Sequence, residues 1–191
     1  MEHKKKVMKV DKKGIEFFKE EEGVLNYVYK DSKGLDTFGI GHLLVAGDDY
    51  LRKYTKKNPS SDELVEEIFK KDLKRFEDRV NLELNKRGIK VSQGQFNALV
   101  SLAFNIGEGG FAKSHLLRDL KEILRTNDVK KLTERFEAWR SGGILLKRRQ
   151  REAKLFIDSW IDSLKKESDK SSGTGFILSA IILLSLYFIL K

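Results

Sequence analysis

Two carboxylates and a hydroxyl fall close together in one stretch, Glu22-Gly-Val-Leu-Asn-Tyr-Val-Tyr-Lys-Asp31-Ser-Lys-Gly-Leu-Asp-Thr37-Phe-Gly-Ile-Gly-His42. Eight residues separate Glu22 from Asp31, and five separate Asp31 from Thr37. Glycoside hydrolysis needs one carboxyl kept protonated as an acid, and usually a second kept ionised to activate water or attack the sugar. Residues of these types in one segment can supply both.

The elements that must carry them are legible nearby. Ile15, Phe18 and Glu22 recur at i, i+3 and i+7, which predicts a first helix with Glu22 on its apolar face and Gly23 as its stop. A carboxyl on that face is costly to ionise. Glu20 and Glu21 point elsewhere and read as ordinary surface acids. Tyr27 and Tyr29 then alternate with Val28, and Asp31-Ser-Lys-Gly34 is turn chemistry, so a hairpin follows. Thr37, Gly39 and Gly41 share one face of its return strand, and the two glycines predict a bare face suited to close approach of a ligand.

Beyond Pro59 the pattern is helical. Ser60-Ser-Asp-Glu63 offers a capping box for a long charged helix to about Val80, with Leu64, Ile68, Leu73 and Phe76 facing inward. Ser92-Gln-Gly-Gln95 offers a second box, opening a central core helix over Phe96 to Phe104 that Asn105-Ile-Gly-Glu-Gly-Gly110 ends. Further helices are predicted near 112–125, 128–140 and 146–166. The fold class expected is α+β, mostly α: a small N-terminal β-hairpin lobe, a helical C-terminal lobe and a binding cleft between them.

The chain has 191 residues, 35% of them charged and 40% hydrophobic, with a formal net charge of +9. That balance suits an anionic partner, although lysine used only for solubility produces the same figure. The absence of cysteine excludes a disulfide framework and a thiolate metal site. His3, His42 and His115 form no metal set, so neither a metal nor another cofactor is expected. Residues 1–13 read as a basic, frayed arm without a secretory leader, 14–166 as the folded domain, and 167–175 as a Gly/Ser-rich linker.

Residues 176–190 are apolar on every face, and the uncharged stretch counted from Gly173 is 18 residues long, which spans roughly 27 Å as a helix. This predicts one C-terminal transmembrane helix, a lipid bilayer as partner and a single-pass membrane location. Lys165, Lys166 and Lys170 before the run, against Lys191 after it, lean toward a cytoplasmic domain without fixing the side.

Three blocks in order resemble the phage-type lysozymes, the muramidases and endolysins of glycoside hydrolase family 24. They are the Glu22–Asp31–Thr37 spacing with Thr37-Phe-Gly-Ile-Gly-His42, then Gln95-Phe-Asn-Ala-Leu-Val-Ser-Leu-Ala-Phe-Asn-Ile-Gly107, then Trp139 through Arg148-Arg-Gln-Arg-Glu-Ala-Lys-Leu-Phe156. The resemblance covers most of 14–157. It implies a two-lobe lysozyme-like fold and an endo-acting, bacteriolytic muramidase that cuts the β-1,4 bond between N-acetylmuramic acid and N-acetylglucosamine in peptidoglycan. Glu22 is similar to its general acid, Asp31 to its second carboxylate, and Thr37 to the hydroxyl that helps hold the attacking water, which implies inversion. Arg148 stands where the family carries a basic residue behind the catalytic glutamate, and a positive neighbour there would favour the ionised form that burial opposes.

The chain departs from the family at Ser114-His-Leu116 and at Leu145-Leu146, departures that bear on the saccharide-binding edge and leave Glu22, Asp31 and Thr37 untouched. The alternative is a catalytically inactive, membrane-tethered module that binds glycan or permeabilises membrane.

Plainer readings exist for each residue. Glu22 can be a helix-end acid, Asp31 a turn former and Thr37 a strand residue. His42 reads as a structural histidine tied to an acid rather than as a catalyst, and Asn105 as a candidate substrate contact. Arg148, Arg149 and Arg151 share a helix with Glu152, Leu155 and Phe156, which favours a mixed structural face over a nucleic-acid site. A monomer without nucleic acid is expected.

Overall fold

The computed structural model describes residues 7–31 and 34–168. They fall into two compact units, one formed by 12–75 and the other by the chain from Phe76 onward together with the N-terminal segment that ends at Asp11.

In the first unit, α1 (Lys12–Glu22) buries Ile15 and Phe18. It stops where Gly23 turns left-handed at φ +74° and its N–H reaches back to the Lys19 carbonyl at 3.0 Å. Next come β1 (Leu25–Lys30), β2 (Asp36–Gly39) and β3 (His42–Leu43), an antiparallel sheet in the order β1-β2-β3. Val28 pairs with Phe38 and Tyr29 with Thr37, and a bulge lies between Leu25 and Val28. The third strand has no signal in the sequence, since two residues are too few for an alternation. Phe18 packs edge-on against Phe69 at 5.1 Å, which joins α1 to the start of α2 (Asp62–Arg87).

The cap of α2 is Ser61, whose Oγ accepts the Leu64 N–H at 3.3 Å. The expected box from Ser60 does not form, because the Ser60 N–H is already bonded to the Asn26 carbonyl at 2.7 Å. The predicted bare face also differs from expectation. Gly39 is buried with φ +62°, and a Cβ placed there would lie 3.0 Å from Val65 Cγ1. Glycine there serves backbone conformation and packing rather than a ligand's approach, while the corresponding space at Gly41 is open.

The second unit is built around α3 (Gln93–Ala112), in which every residue from Gln95 to Ala103 is buried. The Ser92 N–H donates to Gln95 Oε1 at 2.8 Å, one half of the expected capping box. Gly107, at φ +80° and ψ 157°, kinks the helix where the sequence predicts its end. Around it lie α4 (His115–Thr126), α5 (Val129–Glu137) and α6 (Leu146–Ser168). Ser114 and Asp128 cap α4 and α5 by accepting the N–H groups of Leu117 and Lys131.

Residues 7–11 are not frayed. The Met8 N–H donates to Asn81 Oδ1 at 2.9 Å, and Asn81 Nδ2 donates back to the Met8 carbonyl at 2.8 Å. The Val10 N–H donates to Glu77 Oε1 at 2.7 Å, and Asn97 Nδ2 to Asp11 Oδ1 at 2.7 Å. The spacing explains the match: four residues of helix rise about 6 Å, and two residues of extended chain about 6.6 Å. Glu77 and Asn81 therefore meet alternate peptides of the segment.

The membrane helix and the single-pass location expected from it require correction. Among the described residues no helix is long and apolar enough to cross a membrane. The two longest, α2 and α6, carry charged residues along their length, from Asp62 to Arg87 and from Lys147 to Lys166. Residues 176–190 lie outside the described residues. Over the described residues the fold class is α+β, mostly α.

Candidate active site

Glu22 is the last residue of α1 and is half-buried. The helix places it there because Ile15 and Phe18 fix which face turns inward, and Gly23 then bends the chain directly into β1. Asp31 follows the end of β1, half-buried, and Thr37 sits in β2 with 4% of its surface exposed.

Asp31 and Thr37 hang on one residue, Leu35. Its N–H donates to Asp31 Oδ1 at 2.9 Å, and its carbonyl accepts both the Asp31 N–H at 2.9 Å and the Thr37 hydroxyl at 3.2 Å. The Gly34 N–H closes the turn on the Asp31 carbonyl at 2.9 Å. Asp31 is thus a turn residue and an oriented carboxylate at once. With its proton committed to Leu35, the Thr37 hydroxyl presents lone pairs, so it can accept a hydrogen bond from a water. Leu35 works through its main chain, its side chain being 45% exposed, so residue type gave no sign of it.

Tyr29 belongs to the same neighbourhood. Its phenol oxygen is bonded to the backbone of Gly41, and the charges of Glu22 and Asp31 act on it. Burial first, and then the two carboxylates, raise its ionisation above the ordinary tyrosine range against the opposing pull of the Gly41 contact.

His42 lies between two acids, with Nδ1 2.9 Å from Asp72 Oδ2 and Nε2 3.3 Å from Asp48 Oδ2. The hydrogen bond to Asp72 holds the imidazole above its usual range, burial opposes this, and the charges of Asp72 and Asp48 add to it. This arrangement fixes the turn after β2 and leaves both ring nitrogens facing carboxylates.

Asn105 and Arg148 are carried by the second unit. Asn105 is exposed, and its Oδ1 accepts from Arg149 Nη2 at 3.1 Å, which orients its amide. Arg148 is buried, with Nε 3.2 Å from Glu152 Oε1. Arg149 and Glu152 are fully buried, and Ser101 Oγ donates to Glu152 Oε1 at 2.7 Å. Burial drives the Glu152 carboxyl up, while Arg149, Ser101 and Arg148 pull it down. Part of this helix's mixed face is therefore an internal ion cluster, held because each charge has partners.

Among the described residues no group of His, Cys, Asp and Glu could hold a metal ion.

Residues 19–152 match the phage lysozyme family model. The chain is 35% identical over 156 residues to the endolysin of Salmonella phage P22, covering 79% of this chain and 99% of that one. It is 31% identical over 173 residues to the endolysin of Bacillus phage B103, covering 85% of this chain but 59% of that longer protein. The crystal structure of a P22 lysozyme mutant superposes with a TM-score of 0.64 at 32% identity, covering 78% of this chain and 99% of that one. The chain belongs to the phage lysozyme family. It is a glycoside hydrolase, a lysozyme acting on peptidoglycan.

Proposed function

We propose that this chain is an endo-acting, bacteriolytic muramidase that cuts the β-1,4 bond between N-acetylmuramic acid and N-acetylglucosamine in peptidoglycan by a single inverting displacement. Glu22 gives its proton to the bridging oxygen as the bond from that oxygen to the sugar carbon breaks. A water on the opposite face forms the new bond to that carbon and passes a proton to Asp31. Thr37 accepts the water's second hydrogen and so holds it in line. The observation that supports this reading is the pairing of Asp31 and Thr37 on the backbone of Leu35, which leaves the threonine oxygen able only to accept.

Turbidity clearing of peptidoglycan by wild type beside Glu22→Gln tests it. Clearing by the wild type is expected, with a fall of roughly two orders of magnitude or more in the variant. NMR of the fresh product's anomeric proton is expected to show inverted configuration. Full activity in Glu22→Gln would falsify the assignment.

A further inference from the structure

Tyr29 has no role in the mechanism above, yet several placements converge on it. It is the direct cross-strand partner of Thr37, so the two side chains share a face of the sheet with Cβ atoms about 5 Å apart. Asp31 lies two residues further along the chain, just past the end of β1, and its charge acts on the phenol. The phenol oxygen is bonded to the Gly41 backbone, in a turn where φ is +70° and the space beside the glycine is open. Carboxylates act on the phenol from both the helix end, Glu22, and the hairpin, Asp31. With the Gly41 N–H occupying a lone pair, the hydroxyl hydrogen is the group the phenol can offer to the site.

The attacking water has four hydrogen-bonding directions. Its two hydrogens go to Asp31 and Thr37, both of which can accept. One lone pair must attack the sugar carbon, and the other needs a donor. Tyr29 is the neutral O–H on the same face as Thr37, and a neutral donor suits this place because it orients the water without competing for its proton.

We propose that Tyr29 is a positioning residue of the hydrolysis: its O–H donates to the water held by Asp31 and Thr37, fixing the third direction and leaving the fourth aimed at the sugar carbon. The step keeps its balance, because the water's proton still goes to Asp31 and Tyr29 retains its own. The inference rests on the muramidase reading above.

The test uses the full chain with a soluble peptidoglycan fragment, comparing wild type, Tyr29→Phe and Glu22→Gln for kcat, KM, pH profile and thermal midpoint. Tyr29→Phe is expected to lower kcat by about 10- to 100-fold, with KM within about twofold and the midpoint within a few degrees, since a loosely held nucleophile costs rate rather than binding. The limbs of the pH profile should stay in place. Three results would overturn the proposal: a kcat within about twofold of wild type, a loss carried by KM, or a displaced limb, which would assign the O–H to a carboxylate instead of the water. A second pair, Tyr29→His and Tyr29→Leu, separates donor from bulk. The histidine variant should be the faster, and equal kcat for the two counts against the proposal. An active Glu22→Gln would instead remove the underlying mechanism, whatever Tyr29→Phe does.

Discussion

Leu35 shows how a residue can matter without its side chain. The N–H and the carbonyl of this one residue orient Asp31 and Thr37, so replacement should depend on the backbone alone. Leu35→Ala removes a half-exposed side chain and is expected to keep kcat within about twofold of wild type. Leu35→Pro removes the N–H that holds Asp31 Oδ1 and should lower kcat about tenfold or more. Steady-state lysis kinetics on the two variants checks this, and equal rates would mean the Leu35 N–H does not orient Asp31.

His42 offers a different signature, in stability rather than rate. Its folded-state ionisation is raised by Asp72 and Asp48. The stability it contributes is therefore fully present below the unfolded value near 6.5 and is lost as pH rises through the folded value. Asp72→Asn should cost about 1–3 kcal/mol at pH 5, with the gap to wild type narrowing toward alkaline pH. Denaturant melts across that range measure it, and a gap that widens with pH would contradict this account of the pair.

At the scale of elements, α3 and α6 approach through a glycine. A Cβ on Gly94 would lie 2.6 Å from the Ser159 Cβ and 2.7 Å from its Oγ, the same hydroxyl that accepts the Gly94 N–H at 3.1 Å. Alanine in an open helix position would gain roughly 1 kcal/mol over glycine. Here the steric conflict wins, and Gly94→Ala is expected to destabilise by about 1–3 kcal/mol. Adding Ser159→Gly should recover part of that loss, visible as a coupling term in a double-mutant cycle. A more stable Gly94→Ala would show that the helices separate at no cost.

The N-terminal segment follows a related logic. Glu77 and Asn81 on α2 replace a neighbouring strand for residues 8 and 10, so an arm that looks solvated by composition is hydrogen-bonded at alternate peptides.

For the whole molecule, charge is the property that reaches furthest. A net charge of +9 favours encounter with an anionic wall polymer. Raising ionic strength from about 0.05 M to about 0.5 M shortens the screening length from roughly 14 Å to roughly 4 Å. Lysis rate on whole wall is expected to fall severalfold over that range, mainly through KM. A rate insensitive to salt would assign the lysines to solubility alone.

Much of the molecule is written locally. The end of α1 at Gly23, the hairpin about Asp31 and the cap at Ser92 each depend on a few adjacent residues, and short-range hydrogen bonds or a positive φ decide them without help. The Glu22–Asp31–Thr37 spacing is local too, and it is the spacing on which the proposed chemistry rests. What the sequence could not determine lies in contacts between residues far apart in the chain. Whether Ser60 or Ser61 caps α2 depended on Asn26 claiming the Ser60 amide. Whether residues 7–11 fray depended on polar side chains far along the chain, such as Asn81, 73 positions from Met8. Whether Arg149 and Glu152 face water depended on α6 turning that side onto Ser101 and Asn105 of α3. A charged side chain is polar by type in either place, and only the partners that tertiary packing brings to it make burial affordable.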